Sequence, residues 1–161
     1  MSTQEKLNES IPKDCISDKK GLSYVSGRYV KNRLNEVFGL GWSYRVIETK
    51  LVSIDDVSVR WFSHVRLVVQ SEDGYTTRDG LAIGHGTLKT AAGKAASPGR
   101  ANEIVDFAAA ESVTDALKRA AVSLGNSLGL ELYPMGNKKT GGAAPRPAPK
   151  KSNAPKKDIK F

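Results

Sequence analysis

A single cysteine, Cys15, excludes a disulfide within the chain and any cysteine-built metal centre, and suits a reducing compartment. Only two histidines, His64 and His85, are present, which leaves little material for metal-dependent or histidine-based catalysis. No apolar run approaches the ~20 residues of a membrane-spanning helix, and the polar start has no apolar stretch of the signal-peptide kind. The expectation is a soluble, cytoplasmic protein. A nucleotide site is missing as well: Gly93-Lys94 is followed by Ala95 where a P-loop needs Ser or Thr. No ATP and no other cofactor is therefore expected.

What is there begins with charge. The 161 residues carry a net charge of +8, and residues 136–161 hold eight Lys and Arg against Asp158 alone, so all but one of those net charges lie in the tail. That tail is rich in Gly, Ala, Pro and Lys, with Pro145, Pro147, Pro149 and Pro155, and has almost no apolar side chains. It cannot bury enough surface to offset its ordering entropy, so disorder is expected, with a cationic segment that raises the local concentration of nucleic acid. The remaining length is one domain, 21–135, with a core of real size. Residues 1–20 are polar, carry Pro12 and show no sustained periodicity; they read as a partly ordered arm, either a short helix docked on a neighbour or a disordered lead.

From Gly27 the period becomes helical, with Val30, Leu34, Val37 and Phe38 inward and Arg28, Lys31, Arg33 and Glu36 outward, until Gly39-Leu-Gly41 stops it. Trp42 onward turns aromatic and β-branched, a strand. Between Val57 and Gln70 the odd positions are almost wholly apolar, while Arg60, Phe62, His64 and Arg66 fall on the even ones. This predicts a strand with one core face and one wet face. Asp73-Gly74 supplies the hairpin turn, and Tyr75 to Ile83 returns antiparallel. The wet face, with two arginines, a histidine and a phenylalanine, reads either as an ordinary exposed strand face or as a DNA-facing groove, because phosphates need cations and unstacked bases need flat rings. Gly84-His-Gly86 reads as the opening of a loop that runs through Lys89, Lys94 and Ser97-Pro-Gly-Arg100 to a long helix starting near Asp106. That helix places Ala109, Val113, Ala116, Leu117, Ala120, Leu124 and Leu128 on a core stripe, with Glu111, Asp115, Lys118, Arg119 and Asn126 opposite. An alanine-rich stripe lets the axis lie close to a sheet. The fold class predicted is α+β: a helix, a three-stranded antiparallel sheet, and a long helix packed across it.

Two stretches are more specific than their periodicity. Glu111-Ser-Val-Thr-Asp-Ala-Leu-Lys-Arg-Ala-Ala-Val-Ser-Leu-Gly-Asn-Ser-Leu-Gly129 resembles the helix signature of the Rad52/22 family of single-strand annealing proteins, which includes phage Sak-type recombinases. Tyr24-Val-Ser-Gly-Arg-Tyr-Val-Lys-Asn-Arg-Leu-Asn-Glu-Val-Phe-Gly-Leu-Gly-Trp42 resembles the same family's first helix and the start of its first strand. The resemblance covers residues 24–133. It implies ATP-independent binding of single-stranded DNA and annealing of complementary strands in recombination and repair, by a homo-oligomeric ring, in a bacterial or phage-infected cell, beside a single-strand binding protein or an exonuclease. Lys118 and Arg119 fall on the family's Lys-Arg pair that contacts the DNA backbone. Lys89, in Gly86-Thr-Leu-Lys, resembles the lysine of an outer DNA site, and the longer loop after it carries Lys94. The chain departs from the family at Val122, where members have arginine, at Gly27-Arg28-Tyr29, where they have Gly-His-Arg, and at Glu72, where the eukaryotic pattern has lysine. A groove arginine relocated to Arg28 is implied, with Tyr29 either stacking on a base or packing. The final Asp158-Ile-Lys-Phe161 resembles the apolar-tipped tails by which bacterial single-strand binding proteins recruit partners.

Helix, three strands and helix is also the layout of double-stranded-RNA-binding domains, so topology alone leaves a duplex-RNA or generic nucleic-acid module open. A nuclease would draw on Asp55, Asp56, His64, His85, Glu111 and Asp115, although Asp55-Asp56 stand where turn residues are expected.

Overall fold

A computed structural model describes residues 1–19, 21–90 and 92–133; the basic tail, 136–161, lies outside the described residues together with the roles expected of it. In chain order the elements are α1 (Thr3–Asn8), a 3-10 turn (Lys13–Cys15), β1 (Ile16–Lys19), β2 (Leu22–Val25), α2 (Gly27–Phe38), β3 (Trp42–Ile54), β4 (Ser58–Ser71), β5 (Gly74–Thr87) and α3 (Pro98–Val122), followed by two further 3-10 turns. β1 and β2 form a small hairpin, and β3-β4-β5 form the predicted antiparallel sheet in sequence order.

The alternation read in β4 holds. Val59, Ser63, Val65, Leu67 and Val69 are buried, while Arg60, Arg66 and Gln70 are exposed. Ser71 pairs with Gly74 across the two-residue turn, and Gly74 takes the φ of +112° that the hairpin demands. α2 begins at Ser26, whose hydroxyl accepts the Tyr29 N–H at 3.1 Å, and buries Val30, Leu34 and Val37.

Two expectations are corrected by the same feature. Gly84-His-Gly86 does not open a loop: β5 continues through it to Thr87. Gly80, Ala82, Gly84 and Gly86 fall on the inner face at period two, and α3 rests directly on their backbone. A Cβ built at Gly80 would lie 1.9 Å from the Ala116 carbonyl oxygen, and one at Gly84 the same distance from that of Ala108. No side chain fits there. The row of α3 that meets this strip is therefore Ala108, Ser112, Ala116 and Ala120, four residues apart and all buried. Ala109, Val113 and Leu124, expected on the stripe, are only half-buried. The helix also begins at Pro98 rather than near Asp106, because Ser97-Pro98 is a helix start, with proline in the first turn where no N–H is needed. Where the helix crosses β4, Ser112 Oγ lies 2.7 Å from Ser63 Oγ, which donates to Thr49 Oγ1 at 3.1 Å, so no buried hydroxyl of this trio is left unpaired.

Residues 1–19 pack on the body of their own chain. Leu7 and Ile11 enter the core, and the Ile11 N–H donates to the Glu131 carboxylate at 2.6 Å. Arg33 pairs with Glu9 and Glu36. Burial alone would lower its pKa, but the hydrogen bonds to Glu36 and Glu9 outweigh that and leave it raised. α3 covers β5 and β4 and leaves the inner face of β3 bare. Tyr44, Val46, Leu51 and Ile54 there are 40 to 53 % exposed.

Candidate nucleic-acid interface

α3 presents its two cations to different neighbours, since successive helical residues are about 100° apart. Lys118 lies on the Thr114-Lys118-Val122 row. Gly27, the first residue of α2, seats against the Thr114 side chain, and Arg28, the next residue of α2, is exposed. Lys118 Nζ sits 2.7 Å from Asp115 Oδ1 and 6.0 Å from the centroid of the Tyr24 ring. With its side chain 23 % exposed, Lys118 forms one wall of a hollow shared with Tyr24, Val122, Leu132 and Tyr133. A phosphate approaching Lys118 therefore meets an ammonium partly neutralised by Asp115 and flanked by two tyrosine rings.

Arg119 turns the other way. Its Nη1 donates to the Leu81 carbonyl at 3.1 Å, and about two turns earlier in the helix the Glu111 carboxylate accepts the His85 N–H at 3.0 Å. Both partners belong to β5, the edge strand, so the helix occupies part of its free edge. Arg119 remains exposed and keeps its other N–H donors for a ligand. Tyr29 packs: its hydroxyl donates to the Ser127 carbonyl at 3.1 Å, and burial raises its pKa above the usual value.

Arg60 and Arg66 lie on the opposite, uncovered face of the sheet. Arg66 holds Asp79 with two hydrogen bonds of 2.7 and 2.8 Å, and His64 Nε2 approaches the same carboxylate at 3.2 Å. The Arg66 guanidinium lowers the pKa of Asp79 to about 2. A depressed carboxylate contributes its stability above its ordinary pKa and loses it as pH falls through the folded value. The Arg66–Asp79 pair should thus be complete above pH 3.8 and lost towards about 2, so an acid titration followed by NMR should find Asp79 protonating near pH 2 rather than near 3.8. Lys89 and Lys94 stand on a third surface, the loop closed by the Lys89–Ala95 bridge and the Thr90 N–H to Lys94 carbonyl bond of 2.9 Å. Both are exposed and without an ion pair among the described residues.

The pattern of the Rad52/22 family of double-strand break repair proteins matches residues 2–147. The chain belongs to this family. It is 31 % identical over 138 residues to the DNA repair and recombination protein RAD52 of Kluyveromyces lactis, covering 81 % of this chain and 29 % of that protein. It is 32 % identical over 140 residues to RAD52 of Saccharomyces cerevisiae, covering 81 % and 27 %. The DNA repair and recombination protein rhm52 of Pyricularia oryzae is 31 % identical over 140 residues, covering 81 % and 23 %. The chain spans less than a third of the length of these curated relatives. All three are fungal, and a bacterial or phage setting gains no support from them.

In this Rad52/22-family chain the eight cations and rings singled out from sequence thus divide among the start of α2 (Arg28), the Lys118 side of α3, the free edge of β5 (Arg119), the open sheet face and the Lys89–Lys94 loop, with Tyr29 in the packing. Three further groups were missed. Tyr24 carries no signal beyond its motif, Arg45 stands out only once its partner Arg66 is known, and Lys50 lies beyond the register shift between Val46 and Glu48. The acidic groups a nuclease would need are spread out. Asp55 caps its own turn, accepting the Val57 and Ser58 N–H groups at 2.8 Å, the Glu111 carboxylate accepts the His85 N–H of β5, and Asp115 pairs with Lys118. Among the described residues no cluster of three metal-ligating side chains occurs and no helix is long and apolar enough to cross a membrane.

Proposed function

We propose that this chain binds single-stranded DNA and anneals complementary strands without ATP, as a homo-oligomeric ring, in the repair and recombination that give its family and relatives their names. The observation that carries this is that α3 sets Lys118 beside the Tyr24 ring and the exposed Arg119 at the edge of β5, in a chain of this family. The chemistry needs no bond to be made. Cations hold phosphates and sugars of an extended strand, base edges stay free to test a second strand, and stacking in the new duplex drives the reaction. A few cations per protomer hold one strand weakly; repeating them around an assembly multiplies the hold.

Support for an assembly comes from two different bare surfaces. One is the inner face of β3, with Tyr44, Val46, Leu51 and Ile54; the other lies beyond β5, where Phe107, 66 % exposed, and Ile104 bound a hollow of 470 Å³. Unlike patches on opposite edges favour head-to-tail contacts, which close into a ring when the rotation allows. Val46→Glu with Leu51→Glu should give a folded monomer that anneals poorly, read by sedimentation and circular dichroism. An unchanged oligomer would remove β3 from the interface. The function itself is tested by mass measurement with and without a single-stranded oligonucleotide, and by competition of duplex RNA against single-stranded DNA. A monomer that prefers duplex RNA would replace this reading with that of a duplex-RNA-binding module.

A further inference from the structure

The open face of the sheet carries an arrangement that the α3 surface does not explain. Arg45 of β3 and Arg66 of β4 are direct cross-strand partners, so their side chains leave the same face side by side. Like charges in that position repel, and sheets normally avoid them. Asp79 answers Arg66 alone; Arg45 is exposed and has no hydrogen-bonding or ionic partner among the described residues. Between the two arginines lies a hollow of 210 Å³, bounded also by Ser43, Ile47 and Val68. The cations continue down the face: Lys50 sits 5.3 Å from the centre of the Phe62 ring, and Arg60 follows near the far end of β4. From Arg66 to Arg60 this row is about 20 Å long at the rise of a strand. Its acids are Asp79 and Glu48, the latter already 2.7 Å from Lys50. A single small anion needs no such row, whereas a backbone with a phosphate at every residue does.

We propose that the open face holds a second phosphodiester subsite, in which Arg45 and Arg66 grip one phosphate of a nucleic-acid strand and Asp79 competes with that phosphate for Arg66. The subsite rests on the nucleic-acid reading above but not on Lys118 or Arg119, which belong to the other side of the sheet. Asp79 acts as a resident anion: it keeps Arg66 extended and ordered while no strand is present, and it limits how tightly a strand is held. Such a limit suits a protein that must release the product duplex.

The test uses the full chain and a labelled single-stranded oligonucleotide, with equilibrium binding measured over a range of salt. Arg45→Gln should weaken binding about 5- to 10-fold and lower the slope of log affinity against log salt by about 0.7, the value of one phosphate contact to a single strand; Arg45→Lys should restore most of both. Asp79→Asn should tighten binding about 3- to 10-fold. Because Asp79 also anchors Arg66 and His64, its variant is checked by thermal melting; if it loosens the sheet, the two Arg45 variants decide the matter alone. Inorganic phosphate is titrated in parallel. Competition by phosphate that vanishes in Arg45→Gln, with oligonucleotide affinity unchanged, would mark a free-anion site and overturn the proposal. Affinities within 2-fold of the unaltered protein for Arg45→Gln would overturn it too. Should Arg45→Gln be neutral while loss of Lys118 and Arg119 abolishes binding, this subsite falls and the proposed function stands; the reverse result would sink the α3 surface and leave the subsite.

Discussion

Changing Lys118 and Arg119 together to glutamine is expected to lower affinity for single-stranded DNA about 100-fold or more and to reduce annealing to the rate without protein. Each charge-assisted contact to a phosphate contributes about 1.5–3 kcal/mol, and about 1.4 kcal/mol is a factor of ten, so two lost contacts give this size even if they are not additive. In the proposed ring, repetition would deepen the loss, because every protomer along the strand would forfeit the same pair. The salt dependence should flatten by about 1.4 in slope for each protomer engaged. Of the two single variants, Arg119→Gln should cost more. Lys118 already shares its charge with Asp115 at 2.7 Å, whereas the exposed Arg119 guanidinium has only a backbone carbonyl as partner. That bond to Leu81 is on the surface, so water replaces it and stability should change by no more than about 0.5 kcal/mol. Sedimentation and melting of the double variant must match the unaltered protein. Full annealing by a correctly assembled double variant would end the assignment of this helix to the DNA.

Much of the fold was legible because its signals are local. The strict alternation of Val57–Gln70 placed β4 and both of its faces, Asp73-Gly74 placed the turn, and the apolar spacing after Gly27 placed α2. What escaped depends on partners distant in sequence. Glycine at alternate positions reads locally as a loop; only α3, whose contacting residues come 18 or more positions later, makes Gly80, Gly84 and Gly86 a seat. The same seat decides which alanines of α3 are innermost, which its own periodicity could not. For the candidate site, the motif located Lys118 and Arg119 but not their directions, because Asp115, Tyr24 and Leu81 come from three separate elements. A register shift after Val46 breaks the parity rule in β3, so Lys50 falls on the open face with Arg45 only through its pairing with Phe62.

Gly84→Ala should be strongly destabilising. Its new Cβ would stand 1.9 Å from the Ala108 carbonyl oxygen and 2.7 Å from the Ser112 nitrogen, both backbone atoms of a 25-residue helix that cannot give way locally. Either α3 lifts along its length, opening the contact with Ala82 and Gly80, or the strand bends away and loses pairing with β4. Overpacking a close-fitted core costs about 1–3 kcal/mol when side chains can yield, and more where only backbone is available. We expect about 3 kcal/mol or more, a fall in melting temperature of roughly 10–20 °C for a domain of this size. Gly80→Ala meets the Ala116 oxygen at the same 1.9 Å and should behave alike, and because Arg119 reaches β5 at Leu81, beside that contact, its variant should also weaken DNA binding in proportion to the displaced helix. Gly99→Ala is the control: it sits in the first turn of the same helix with nothing within 4 Å of its Cβ, and alanine there should leave stability unchanged or raise it by up to about 1 kcal/mol through helix propensity. A melting temperature for Gly84→Ala within about 2 °C of the unaltered protein would mean that α3 does not rest on β5, and with that the directions assigned to Lys118 and Arg119 would lose their foundation.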